Sequence, residues 1–253
     1  VGQKIGDSEE FFSVPIHASC SGTVKKVADF QTTAGEKVKA IVIENDHQYQ
    51  MDESLKKPEI TDKQSFLKAV RESGLVGLGG AGFPAHVKLA YKDADRITKL
   101  VINGAECEPY ITSDFRECME NTDHVLAGIR AVCQYLEIAD VYLGIESNKP
   151  QALALFSEKT AGDPHFHVVE LKQLYPQGAE KSIIYATTGI TVKAGRLPAD
   201  CGVLVMNVSS VGFLGGYLSD GCPLVSRRIT VDGDAVEHPK NLVVPIGTSI
   251  RDV

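Results

Sequence analysis

The sequence has 253 residues and a formal net charge of −7, with 43% hydrophobic and 23% charged residues. This ordinary globular composition lacks the basic balance that broad nucleic-acid binding needs, so an anionic ligand must be held locally, for example by N–H groups at a helix start. No apolar run reaches the roughly 20 residues that cross a bilayer, and no secretory signal is present. Because the chain begins at Val1 rather than Met, we interpret it as a segment of a longer protein.

The cysteine and histidine pattern predicts neither a disulfide framework nor a metal site in this segment. The six cysteines are scattered and form no C-x-x-C pair, which favours a reducing, cytosolic setting and argues against zinc or iron–sulfur ligation by these thiols alone. His165 and His167 form an H-x-H on a predicted strand, but no third ligand accompanies them. The cysteines are Cys20, Cys107, Cys118, Cys133, Cys201 and Cys222.

The first 52 residues read as short strands, at 14–16, 22–27 and 40–43. Their pattern resembles the barrel-sandwich fold of lipoyl and biotinyl carriers. No lysine stands beside a Met at a hairpin tip, so a carrier role is not expected. We predict a structural or docking module over 1–52.

Strands and helices then alternate, which predicts an α/β domain over 53–226 with a mainly parallel sheet covered by helices. A linker is expected at 53–60, and Thr61 and Asp62 can cap a helix that ends near Gly74. A hairpin at 229–236, with Asp-Gly at its turn, begins a small β-module over 227–253. The predicted strands are 99–103, 141–145, 166–169 and 203–208, and the predicted helices are 63–70, 84–92, 114–136 and 151–159.

A glycine-rich loop is the most informative segment. Gly77, Gly79 and Gly82 spell G-x-G-x-x-G, but a helix rather than a strand precedes them, so the Rossmann context is poor. Four glycines in six positions, with Gly80 as the fourth, cost backbone entropy, which a flat or anionic ligand lying on the backbone would offset. Pro84 suits the first turn of a helix. The loop therefore predicts a phosphate or ring cradle, with a tight structural turn as the alternative.

Three motifs carry a family resemblance. Residues 74–84, GLVGLGGAGFP, resemble the flavin-binding loop of the complex I flavoprotein subunit, and residues 103–110, NGAECEPY, resemble the second motif of the RnfC proteins. Residues 175–181, YPQGAEK, lie where complex I relatives carry a Gly-Glu-Glu-Thr element. With the N-terminal barrel-sandwich and a C-terminal hairpin similar to a β-grasp (SLBB-like) module, the chain resembles the RnfC family over essentially its whole length.

The resemblance implies that FMN and NAD(H) are the cofactors and that no side chain acts as a catalytic acid or base. Ala105 and Lys181 depart from the complex I pattern. The implied FMN-binding residues are Gly77, Gly79, Gly80, Gly82, Lys88, Asn103, Glu106, Gly178, Asn207 and Ser210. The implied NADH-binding residues are Phe83, Tyr91, Glu108, Tyr175, Glu180 and Lys181.

The implied function is that of an electron-transfer subunit in an Rnf-type ion-translocating ferredoxin:NAD+ oxidoreductase. Hydride would pass between NAD(H) and FMN, and single electrons would leave through 4Fe-4S clusters outside this segment. The expected partners are other Rnf subunits, including membrane subunits, and ferredoxin-linked carriers, at the inner face of the cell membrane. Two alternatives stay open: a flavin-dependent electron donor to a cobalamin or amino-acid reductase, and a noncatalytic scaffold without cofactor.

Overall fold

The computed structural model describes residues 1–32, 34–91 and 97–253. The N-terminal part consists of two antiparallel pairs, β1 (Lys4–Gly6) with β2 (Ile16–His17) and β3 (Gly22–Gln31) with β4 (Lys37–Asn45). The short strand β1 was not predicted, and β2 begins at the end of the predicted strand 14–16. Residues 53–60 form no helix or strand, in line with the expected linker.

A four-stranded, fully parallel sheet forms the centre of the molecule, which confirms the predicted fold class. Its strands lie in the order β7-β6-β5-β8. The central strand β5 is apolar on both faces, because helices cover the sheet on either side. The strands are β5 (Lys99–Gly104), β6 (Asp140–Glu146), β7 (Phe166–Leu171) and β8 (Val203–Asn207).

Seven helices lie among the described residues, and they cover the sheet unequally. Helix α6 packs its Ile183 and Ile184 on one face, against Val101 of β5, while the larger core on the other face receives side chains from the remaining helices. The helices are α1 (Lys63–Glu72), α2 (Ala85–Leu89), α3 (Ser113–Glu120), α4 (Thr122–Leu136), α5 (Pro150–Thr160), α6 (Glu180–Thr188) and α7 (Val208–Asp220).

Helix α1 begins where its cap was predicted. Asp62 accepts a hydrogen bond from the Ser65 N–H (2.7 Å), and the Ser65 hydroxyl accepts one from the Asp62 N–H (3.0 Å). This reciprocal pair satisfies two of the N–H groups that a helix start leaves without partners.

Several predicted boundaries were wrong or incomplete. The single helix expected over 114–136 is two helices, because the chain leaves helical geometry at Asn121 (φ −121°, ψ 29°). The helix expected over 84–92 spans only Ala85–Leu89, and position 92 of the prediction lies outside the described residues. Helix α6 was not predicted. The small-residue segment after β8 proves to be the interior of α7.

The C-terminal hairpin pairs β9 (Ser226–Val231) with β10 (Lys240–Pro245). Asp232-Gly233 does not form the expected tight turn: Val231 pairs with Lys240, so the connection runs over 232–239. Short 3-10 helices occupy Pro198–Cys201 and Ile250–Asp252. The predicted domain boundaries at 52 and 226, and the β-grasp assignment of the hairpin, stay predictions.

Candidate functional site

The candidate site lies at the carboxyl ends of β5 and β8, where the strand order reverses. From β5 the chain proceeds outward through β6 and β7 and then returns to the other side of β5 as β8. In open α/β sheets such a reversal leaves a crevice outside the strand ends, which is where ligands bind. Asn103 and Asn207 are paired in register across these two strand ends. Two of the predicted site residues are thereby neighbours.

The glycine loop lies over this crevice, and hydrogen bonds between its two ends close it. The Gly77 N–H donates to the Phe83 carbonyl (2.8 Å), and Val76 pairs with Pro84 at the base. The loop is anchored at Leu78, whose N–H donates to Ser210 Oγ (2.9 Å) and whose carbonyl accepts from Arg227 Nη2 (2.5 Å). Contacts from α7 and β9 therefore hold the loop in place.

The surface of the loop fits a flat, anionic ligand. Gly80 (φ 126°) and Gly82 (φ 61°) adopt backbone conformations that favour glycine, and a Cβ on either would meet no atom within 4 Å. Within the described residues, the N–H groups of Gly79, Gly80 and Gly82 make no hydrogen bond. Unpartnered donors beside bare backbone are what a phosphate or a planar ring can use.

A cleft joins the loop to the two strand ends. Lys88 of α2 and Glu180 at the start of α6 face each other across it, with Nζ and Oε1 2.9 Å apart. Both side chains are about two-fifths exposed, so their ion pair adds little to stability and can exchange for contacts to a ligand. The cleft is lined by Gly77, Gly79, Ala81, Phe83, Ala85, Lys88, Leu89, Asn103, Glu180, Val205, Met206, Asn207 and Ser210.

The two predicted asparagines line the cleft, and Gly178 contacts one of them from outside the lining. Asn103 Nδ2 donates to the Gly178 carbonyl (2.8 Å), and a Cβ on Gly178 would lie 3.1 Å from the Ala105 carbonyl oxygen. Asn207 caps α7 through the Ser210 N–H (3.1 Å) and donates to Asp114 (2.7 Å). Each asparagine amide therefore uses one N–H and its oxygen for contacts within the protein and keeps a second N–H for a ligand.

The two glutamates of the second motif have different environments. Glu106 is buried and accepts hydrogen bonds from the N–H groups of Asp114 (2.8 Å) and Phe115 (3.2 Å) at the start of α3. Burial raises the pKa of Glu106 above its ordinary value, although those N–H groups act in the opposite direction. Glu108 is exposed. The structure therefore separates a carboxylate that caps a helix from one that is free to face solvent or a ligand.

Half of the predicted site residues lie outside the cleft lining: Gly80, Gly82, Tyr91, Glu106, Glu108, Tyr175, Gly178 and Lys181. The Tyr91 hydroxyl donates to Asp200 (3.1 Å), and Lys181 Nζ donates to the Lys193 carbonyl (3.0 Å). Tyr175 is three-quarters exposed on the loop before α6. Their contacts with a dinucleotide stay predictions.

Sequence reasoning missed Asp114 and Arg227. Asp114 accepts hydrogen bonds from Asn207 Nδ2 and Ser209 Oγ, and burial raises its pKa. Its position in the first turn of α3 was the one local signal for such a role. Arg227 gave no signal, because its contact with the glycine loop joins residues 149 positions apart.

The H-x-H pair does not converge on one point. His165 Nδ1 lies 3.0 Å from Asp140, whereas His167 stacks on Tyr142 with ring centroids 4.7 Å apart. Over 1–32, 34–91 and 97–253, no group of three or more His, Cys, Asp or Glu residues is placed to hold a metal ion.

Comparison with known proteins decides the family. The model of the Nuo51 FMN-binding domain matches residues 70–214, and that of the RnfC barrel sandwich hybrid domain matches residues 1–48. The RnfC protein of the proton-translocating ferredoxin:NAD(+) oxidoreductase complex from Clostridium ljungdahlii is 40% identical over 99% of this chain. The chain belongs to the RnfC family. The resemblance stated from its motifs is confirmed.

Further RnfC relatives align over the full chain. The corresponding protein of the Na(+)-translocating ferredoxin:NAD(+) oxidoreductase complex of Acetobacterium woodii is 38% identical over 100% of this chain. That of the ion-translocating oxidoreductase complex of Pseudomonas aeruginosa is 37% identical over the same share. The chain spans 55%, 58% and 33% of the lengths of the three relatives.

A solved structure shares the fold at low identity. The NAD+-reducing [NiFe]-hydrogenase in its H2-reduced state aligns with a TM-score of 0.65 and 21% identity, over 76% of this chain and 38% of that one. The air-oxidized state aligns similarly, with a TM-score of 0.63. Among the described residues of this RnfC-family chain, no helix combines the length and apolarity that a membrane crossing requires.

Proposed function

We propose that the chain binds FMN in the cleft and a nicotinamide dinucleotide beside it, and that it positions the two for hydride transfer. The observation that carries this proposal is the placement of the glycine loop, with its unpartnered N–H groups, directly over the crevice between β5 and β8. When bound, FMN exchanges a hydride with the dinucleotide and passes electrons on singly. The match to an FMN-binding domain over residues 70–214 supports the choice of flavin.

The protein's part in this proposal is positioning. Gly77, Gly79, Gly80 and Gly82 supply a backbone surface for the ring and its phosphate, and Lys88 supplies a positive charge at the edge of the same cleft. Preorganised donors and charges of this kind act without reorganising when the charge of the ligand changes. We assign no side chain as a proton donor or acceptor in the transfer.

Asn103, Asn207, Ser210, Gly178 and Glu106 are proposed to hold the shape of the flavin site. Their contacts described above join the ends of β5 and β8 to α3, to α7 and to the loop before α6, and so they set the shape of the cleft around a ligand. Side chains locked by such contacts hold a site more closely than free ones. Phe83, Tyr91, Glu108, Tyr175, Glu180 and Lys181 are proposed for the dinucleotide.

The wider role follows from the relatives. We propose that the chain acts within an Rnf-type ferredoxin:NAD+ oxidoreductase complex, at the inner face of the cell membrane through partner subunits. The three relatives are named as subunits of such ion-translocating complexes. Single electrons would pass to 4Fe-4S clusters outside this chain and from there to and from ferredoxin-linked carriers.

The test is a titration of the purified chain with FMN, followed by addition of NADH without oxygen. We expect the flavin fluorescence to change on binding and the flavin absorbance to bleach when NADH is added. A folded chain that binds no FMN would be the noncatalytic scaffold instead. A chain that binds FMN but is not bleached by NADH would lack the dinucleotide part of the proposal.

A further inference from the structure

The segment that joins β1 to β2 is fastened to the α/β domain next to the glycine loop. Arg71 of α1 donates to Asp7 Oδ1 (2.7 Å) and to the Ser8 carbonyl (2.5 Å). The hydrogen bonds from Arg71 hold the pKa of Asp7 well below its ordinary value, so this ion pair persists at neutral pH. Further along the segment, His86 Nε2 donates to the Phe11 carbonyl (3.1 Å). The segment is thus held near its start, at Asp7 and Ser8, and again at Phe11.

This fastening brings Phe12 to the glycine loop. Its ring meets that of Phe83 edge to face, with centroids 5.0 Å apart and planes at 81°. Phe12 is 62% exposed and Phe83 is 41% exposed, so neither ring fills the core. Two exposed aromatic rings held at a right angle form an apolar corner, and Phe83 also lines the cleft. The two rings therefore extend the surface of the cleft from Phe83 to Phe12 of the N-terminal module.

We propose that Phe12 packs against the adenine of the nicotinamide dinucleotide whose binding at Phe83 belongs to the proposed function, so that the N-terminal module completes the dinucleotide site. This inference rests on the proposed function. The dinucleotide has two planar groups, and its nicotinamide must lie on the flavin for hydride transfer, which leaves the adenine for a surface further out. A flat base can stack on one ring of the corner and meet the other at its edge, the two arrangements that aromatic groups prefer.

A purely structural role for Phe12 fits the geometry less well. Most of the Phe12 ring is open to solvent, so its contact with Phe83 leaves ring surface for a ligand. Its neighbour Phe11 is similarly exposed, at 65%, but the Phe11 ring meets that of His86 rather than a ring of the glycine loop. Phe12 is the ring of the pair that contacts the loop of the cleft.

The experiment compares Phe12→Ala with Phe30→Ala in the FMN-loaded chain of 253 residues. Phe30 lies on β3 of the same module, is 60% exposed and serves as the matched control. The probes are ADP-ribose, which carries the adenine without the nicotinamide, and NADH. Binding of ADP-ribose is measured by calorimetry, and steady-state oxidation of NADH with ferricyanide as the electron acceptor gives KM and kcat for NADH.

We expect Phe12→Ala to weaken ADP-ribose binding and raise the KM for NADH by about tenfold, the loss of one aromatic contact to a base. FMN affinity and kcat at saturating NADH should stay within about twofold, because the hydride-transfer geometry is set inside the cleft. Phe12→Tyr should retain binding, whereas Phe12→Leu, which keeps an apolar side chain, should lose it. Phe30→Ala should match the wild type.

The outcomes separate this inference from the proposed function. Suppose that NADH bleaches the wild-type flavin. If both Phe12→Ala and Phe12→Leu then bind ADP-ribose as tightly as the wild type, the inference is wrong and the proposed function stands. If the wild type binds FMN but NADH does not bleach it, both fall. Should Phe12→Ala fail to fold, as judged by thermal unfolding, the comparison of Phe12→Leu with Phe12→Tyr decides.

Discussion

Two groups of glycines serve opposite purposes in this molecule. In the glycine loop, a Cβ on Gly80 or Gly82 would meet nothing within 4 Å. Where helices α4 and α7 cross, a Cβ on Gly128 would lie 2.0 Å from the Val211 carbonyl oxygen, and one on Gly215 would lie 1.9 Å from that of His124. The first group leaves the loop backbone accessible, with open space beside it. The second allows the backbones of α4 and α7 to come into contact.

The difference shows why glycine content alone does not mark a ligand site. Gly80 and Gly82 of the first group and Gly215 of the second lie in sequence stretches rich in small residues, 77–82 and 209–216. At the crossing, the space that glycine leaves is filled by the neighbouring helix, so the residue contributes to packing. In the loop the space stays open beside unpartnered N–H groups, and that combination indicates a ligand.

The largest effect is expected at the helix crossing. Gly215→Ala places a methyl group against a backbone carbonyl that cannot rotate away, so α4 and α7 must separate. We expect the free energy of unfolding to fall by about 3 kcal/mol, measured by urea denaturation. The matched control is Gly216→Ala on the same helix, whose Cβ would lie 3.4 Å from the His124 ring. An equal loss in both variants would contradict the role of backbone contact.

Gly77→Val tests the other side of the comparison. Gly77 lines the cleft, its φ is not positive, and its Cβ would approach nothing nearer than the Phe83 backbone at 3.7 Å. The substitution is therefore less strained than one at Gly80. We expect FMN affinity to fall about 100-fold, with the thermal unfolding temperature little changed, because the side chain occupies the ligand's place. Fluorescence titration measures this.

Gly162→Val is the control for that variant, since Gly162 also has open space around its Cβ but lies in the loop before β7. FMN affinity should be unaffected there. If Gly77→Val binds FMN as tightly as the control does, the loop is not the flavin surface.

The two glutamates extend the comparison from glycines to carboxylates. The Glu106 carboxylate accepts hydrogen bonds from two N–H groups at the start of α3, and Glu106→Gln replaces it with a neutral amide. We therefore expect the free energy of unfolding to fall by about 1 kcal/mol. Glu108→Gln should leave stability unchanged and slow reduction by NADH more than it weakens FMN binding. Urea denaturation and NADH bleaching measure the two effects. Equal destabilisation by both substitutions would show that their environments do not differ in the way described.

The smallest effect concerns the support of the loop and depends on pH. Burial lowers the pKa of both His86, which lies in the first turn of α2 after the loop, and His17, which lies beside Gly74. In the unfolded chain these rings take up protons as the pH falls through about 6.5, while the folded protein keeps them neutral to lower pH. The unfolded state then binds more protons, so stability falls as the pH drops below about 6.5.

We expect each histidine to contribute less than about 1 kcal/mol between pH 7.5 and pH 5.5. The groups around His17 are Lys4, Asp7 and Glu72, and Arg71 lies near His86. Urea denaturation of the wild type and of His17→Asn/His86→Asn at the two pH values measures the effect. The double variant should lose less stability on acidification, and an identical loss would assign the pH dependence to other groups.

Much of the sheet and its family could be predicted from the sequence, whereas the helices were less predictable. Strands such as β5 were found because their apolar runs are short and are bounded by turn residues. The break at Asn121 was missed because apolar positions at helical spacing continue beyond it, and helix α6 was missed because its weak amphipathic pattern follows a loop.

The sequence predicted cleft residues from several parts of the chain, but it missed side chains that support them from outside the lining. Gly77, Gly79, Phe83 and Lys88 line the cleft, and so do the predicted Asn103, Asn207, Ser210 and Glu180 from other segments. Asp114, Arg227 and Phe12 come from three other parts of the chain, and their own sequence neighbourhoods are typical of a helix start, a strand and a surface loop. Motifs report local chemistry, so contacts between distant segments escape them.

The sequence by itself determined an RnfC-family α/β chain with bare backbone between residues 77 and 82, because hydrophobic periodicity and glycine content are local properties. The tertiary structure alone decided which groups meet that backbone. Parallel strands bring residues as distant in the chain as Asn103 and Asn207 to one edge of the sheet. The strand order that makes them neighbours depends on the whole chain, so the local sequence around either residue does not determine it.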